Sequence, residues 1–115
     1  MAKRNRKARR RAESPIAVYA DREGNELTLR QSLSPGTIAK IREGPSSRAA
    51  TVDDAWQRRN EMLFERLAVR WEIAGLPLTD QKMLLGRYRM ADAAEQRFVR
   101  ETMQAHVDRY IPELS

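Results

Sequence analysis

The sequence contains no cysteine, which excludes disulfides, thiolate nucleophiles and cysteine ligands to a metal. It contains one histidine, His106. A transition-metal site would therefore rest almost wholly on carboxylates, and no metal is expected. No run approaches the roughly 18 apolar residues of a membrane-spanning helix. The stretch after the basic start, "AESPIAVYADREG", is too short and too polar for the apolar core of a signal peptide. Residues 1–12 have the arginine and the lack of acid of a mitochondrial presequence, but not its serines or amphipathic spacing. The five glycines are scattered at 24, 36, 44, 75 and 86, and none belongs to a phosphate-cradling loop. No serine sits in a Gly-x-Ser-x-Gly elbow. These absences leave catalysis the least supported class, so the chain reads as a non-enzymatic protein without a cofactor.

Charge is what the sequence has in excess, and it is unevenly placed. The 115 residues carry 22 Lys+Arg and 16 Asp+Glu, net +6. Seven of the basic residues and none of the acidic ones lie in residues 1–11, so residues 12–115 are left at net −1. The seven are Lys3, Arg4, Arg6, Lys7, Arg9, Arg10 and Arg11. Like charges at this density repel, and nothing among them is apolar enough to bury, so residues 1–13 are expected to be a disordered arm. Eighteen of the 22 basic residues are arginine, whose planar fork matches phosphate oxygens. Such an arm follows an RNA or DNA backbone without reading bases. Arginine-rich segments also fold onto RNA on binding. Competing readings are a solubility tail, an address read by a receptor, or weak attraction to an anionic membrane surface without insertion. No aromatic residue interrupts the arm's charges, so the arm is not a stacking platform for single strands.

Residues 14–115 read as a single small helical domain opening with a β-hairpin. Ile16 and Val18 alternate, as do Leu27 and Leu29, around the turn-forming Asp21–Asn25 segment. Strands are expected near 16–20 and 26–30. Helices are expected at about 35–42, 52–74, 80–90 and 93–110. Ser34-Pro35, Thr51 with Asp54, Thr79, and Asp92 with Glu95 supply the starts. The fold class is mainly α with a small β-hairpin (α+β): a three- to four-helix bundle preceded by the basic arm. In the long helix over 52–74, Trp56, Leu63, Leu67, Trp71 and Ala74 share one face at 100° per residue. That spacing makes both tryptophans core residues rather than base-stacking ones. Asn60 on the same face is out of place. Asp54, Glu61, Glu65 and Glu72 form a solvated stripe. His106 shares an inner face with Val99, Met103, Val107 and Tyr110, which makes it structural.

Two functional classes follow. The first is a cytoplasmic nucleic-acid-associated binding module, with the arm on phosphate. The second is a protein-interaction or assembly factor. Its candidate partner surface is Arg59, Met62, Arg66, Val69, Arg70 and Ile73, and the arm serves only solubility. An Arg-rich tail before a small helical body resembles small phage-borne and actinobacterial proteins in composition alone, and no residue role follows from that.

Overall fold

A computed structural model of the chain describes residues 15–43 and 52–115. The basic arm, residues 3–11, and the Thr51 helix cap lie outside the described residues. Strands β1 (Ile16–Ala20) and β2 (Glu26–Arg30) are joined by a turn that Asp21 organises. Its carboxylate accepts hydrogen bonds from the backbone N–H of Glu23 (2.8 Å) and Asn25 (3.0 Å) and from the Asn25 amide (2.9 Å). Gly24 takes φ +84°, which a side chain would resist. The alternation read from the sequence is present in β1, and its bulkier apolar set is the outward one. Ile16 and Val18 are exposed, while Ala17 and Tyr19 are half-buried. The sequence shows the period of two; which set is buried is fixed by what packs against the strand.

The hairpin is half of a four-stranded antiparallel sheet in the order β1-β2-β3-β4. This overturns the expected helical bundle with a small hairpin: the sheet is a main layer of an α+β fold. The error lies in the long helix. Helix α2 runs over Val52–Leu67, and the chain then becomes strand β3 (Ala68–Ile73) without a loop. Apolar residues at 63, 67, 71 and 74 satisfy a helical period. Val69, Trp71 and Ile73 also satisfy a strand period, and they are β-branched or aromatic. Tertiary pairing decides between the two. Leu27 and Leu29 need a partner strand, and β3 supplies one with Leu27 opposite Trp71 and Leu29 opposite Ala68. The register shifts between Thr28 and Leu29, leaving Val69 as an extra residue in β3. That bulge lets Ala68 and Trp71 both face inward. Ala74 and Gly75, at φ 53° and 78°, form a two-residue hairpin turn to β4 (Leu76–Leu78). Asn25 Oδ1 accepts from Ala74 N–H at 3.0 Å, tying the two turns together.

The remaining helices start at identifiable caps. Ser34 Oγ accepts from Thr37 N–H at the head of α1 (Pro35–Glu43). Asp80, rather than the expected Thr79, caps α3 (Gln81–Arg89) through Met83 N–H. Asp92 and Glu95 close a reciprocal capping box on α4 (Ala93–Tyr110). Leu27, Leu29 and Trp71 of the sheet share one core with Leu63, Phe64 and Leu67 of α2, Leu84 and Tyr88 of α3, and Val99, Met103 and Val107 of α4. Phe64, absent from the helical face read in the sequence, is central. Its ring stacks on Tyr88 (4.8 Å) and meets the edge of Trp71 (5.8 Å). No helix among the described residues is long and apolar enough to cross a membrane.

Candidate functional site

The apolar stripe of α2 covers Leu63, Phe64 and Leu67 and ends at Asn60, which is 7% exposed. One turn earlier on that stripe stands Trp56, and here the sequence reading fails: Trp56 is 53% exposed and is not a core residue. Asn60 marks the change. Its amide nitrogen donates to the Trp56 carbonyl (3.1 Å), a side-chain bond to residue i−4 that a purely apolar stripe would not contain.

Around this point α2, α3 and α4 leave a cleft of about 190 Å³. Trp56 forms one wall, with the Arg100 guanidinium 5.1 Å from its ring centroid. Tyr88, buried and stacked on Phe64, also lines the cleft. Burial pushes the Tyr88 phenol above its ordinary pKa, opposed by the charge of Arg100 and by its hydrogen bond. The phenol therefore stays protonated. The Gln96 amide donates to the Tyr88 carbonyl at 3.3 Å, and Gln57 lines the opening. At the rim, Arg89 forks onto one Glu61 oxygen at 2.9 and 3.2 Å. The cleft thus combines one exposed indole, a buried tyrosine and three carboxamides with charges of both signs.

A larger cavity, about 720 Å³, lies between the β1–β2 turn and the start of α4. Its acidic side chains are largely engaged in structure. Asp21 builds the turn, Asp92 and Glu95 form the capping box, and Glu95 also pairs with Arg87 at 2.7 Å. Among the described residues no group of three or more His, Asp or Glu is placed to hold a metal ion.

His106 is fully buried. Its Nε2–H donates to the Arg30 carbonyl at 2.7 Å, which leaves Nδ1 to accept the Tyr19 hydroxyl at 2.7 Å. Burial lowers its pKa below the ordinary value, while the bond to Arg30 acts the other way. A neutral imidazole bridging α4 to β1 and β2 is a structural tie.

The residues proposed from the sequence as a partner surface are dispersed. Arg59 reaches the Leu114 carbonyl, and Met62 packs against the core. The backbone carbonyl of Arg66 accepts from Arg30. Val69 is the bulge residue, and Arg70 lies opposite Thr28 on the outer sheet face, paired with Glu72 at 2.7 Å. Ile73 packs inward. They shared a face only on a helix that ends at Leu67. The seven arm residues lie outside the described residues. Trp56, Tyr88, Gln96 and Arg100 were missed as a group, and Asn60 on an apolar stripe was the signal that pointed to them. No family model, curated protein or solved structure matches this chain.

Proposed function

We propose that the protein is a non-enzymatic nucleic-acid-binding module whose basic arm holds the phosphate backbone with little sequence preference. One observation carries the reading: +7 in residues 1–11 against −1 in residues 12–115. Attraction to a polyanion is thereby concentrated at one end, and the rest of the chain serves as its carrier. On this reading the protein works in the cytoplasm, where RNA and DNA are both at hand.

A titration of binding against salt tests the proposal. Each phosphate contact releases condensed counterions, at about 0.9 per contact on duplex DNA and about 0.7 on a single strand. Seven engaged cations give a slope of log K against log salt of roughly −6 and roughly −5, respectively. Replacing Arg9, Arg10 and Arg11 by Gln should flatten the duplex slope by up to about three units. An unchanged slope would refute the arm's role. The second reading, a protein-interaction factor, draws support from Ile16 and Val18. They are exposed on the outer sheet face of an edge strand that carries no charge. It predicts binding of a protein partner that the same arginine substitutions leave intact.

A further inference from the structure

We infer that the cleft between α2, α3 and α4 receives one unpaired nucleobase, stacked against Trp56. This deepens the nucleic-acid reading and rests on it: the arm holds backbone, and the folded part takes a base.

Three features select this ligand. The first is Trp56 itself. A half-exposed indole on a folded helix offers a flat apolar surface that every base can use. The Arg100 guanidinium, 5.1 Å from the ring centroid, holds the indole in position, and about half of the residue remains exposed to solvent. The second is size. About 190 Å³ is less than the roughly 300 Å³ at which drug-sized sites begin, and it suits a single flat heterocycle. The third is charge. Glu61 and Asp53 line the cleft with Arg89 and Arg100, so the formal charges cancel. A phosphate gains little in such a place, whereas a neutral ring with donor and acceptor edges gains from Asn60, Gln57 and Gln96. Carboxamides carry both a donor and an acceptor and pair with base edges. The base must be unpaired, because a ring inside a duplex presents no free face. The arm has no aromatic of its own, and Trp56 provides one.

Intrinsic fluorescence of the full chain reports on the site. There are two tryptophans, and Trp71 is buried at 2% exposure, so a ligand in the cleft acts on Trp56. Adenosine and cytidine carry no phosphate and do not engage the arm. Each should quench the emission saturably, and Trp56→Phe should abolish that response. Against a single-stranded oligonucleotide, Trp56→Ala should weaken binding on the order of 5- to 150-fold, with Trp56→Phe restoring part of it. Inorganic polyphosphate, a polyanion without bases, should bind the native chain and Trp56→Ala equally. If Trp56→Ala binds the oligonucleotide as tightly as the native chain, the cleft takes no base, and the arm reading survives alone. Linear, unsaturable quenching by the nucleosides also overturns the inference. So does saturable quenching by N-acetyltyrosinamide with none by nucleosides, which would make the cleft a peptide site. Saturable nucleoside quenching beside an oligonucleotide affinity that ignores salt supports the cleft and removes the arm's role.

Discussion

At the scale of single residues, His106 shows how burial turns a titratable group into a structural one. Its imidazole is neutral because Arg30 accepts from one nitrogen and Tyr19 donates to the other. The folded pKa lies below the unfolded value of about 6.5, so the unfolded chain binds more protons as pH falls. The stability contributed by the neutral ring is complete above about pH 6.5 and is lost as pH falls from there towards the folded pKa. Thermal melts between pH 7.5 and 5.5 should therefore show a declining midpoint. His106→Gln should lower the midpoint throughout and remove most of its decline in that window. An unaltered pH dependence in the variant would assign the effect to other groups. Trp71 is a second case. Its ring is 2% exposed, and its indole N–H is buried without a hydrogen-bond partner among the described residues. Trp71→Ala should cost about 3–5 kcal/mol through lost contacts and the cavity left behind. Trp71→Phe should cost much less, because it removes a donor whose desolvation is uncompensated by about 1–3 kcal/mol. Chemical denaturation of both variants compares the two.

At the scale of elements, the sequence was most legible where a local bond ends a segment. The Asp92–Glu95 box starts α4, and Ser34 starts α1, from side chains within four residues of the backbone they satisfy. It was least legible over 68–73, where helix and strand periods coincide and the choice depends on β2, some forty residues away. The cleft was hidden for the same reason. Carrying α2 through to 74 set Trp56 and Trp71 on one face, although they lie on different elements, one half-exposed and one buried. Ala74 shows how firmly the sheet imposes its geometry, since a residue with a side chain is held at φ 53°. That conformation costs an L-residue roughly 1–2 kcal/mol, and glycine avoids it at an entropic cost of about 0.5–1 kcal/mol. Ala74→Gly should thus stabilise the protein by about 0.5–1 kcal/mol. The hydrogen bond from its backbone N–H to Asn25 does not depend on the side chain. A stability loss on denaturant unfolding would show that the Ala74 methyl group contributes packing that its exposure conceals.

At the scale of the whole molecule, the two proposed contacts differ in how they answer to salt, and this separates them in one experiment. A phosphate held by the arm releases counterions, so each such contact adds to the slope of log K against log salt. A base stacked on Trp56 displaces no ions, and the charges lining the cleft cancel, so it adds a constant. For a single-stranded oligonucleotide, Trp56→Ala should give a line parallel to that of the native chain, displaced downwards at every salt concentration. Replacing Arg9, Arg10 and Arg11 by Gln should instead rotate the line, flattening it by up to about two units on a single strand. The combined variant should show both changes. A rotation caused by Trp56→Ala would mean that the indole positions phosphate contacts, and the division of labour between arm and cleft would fall.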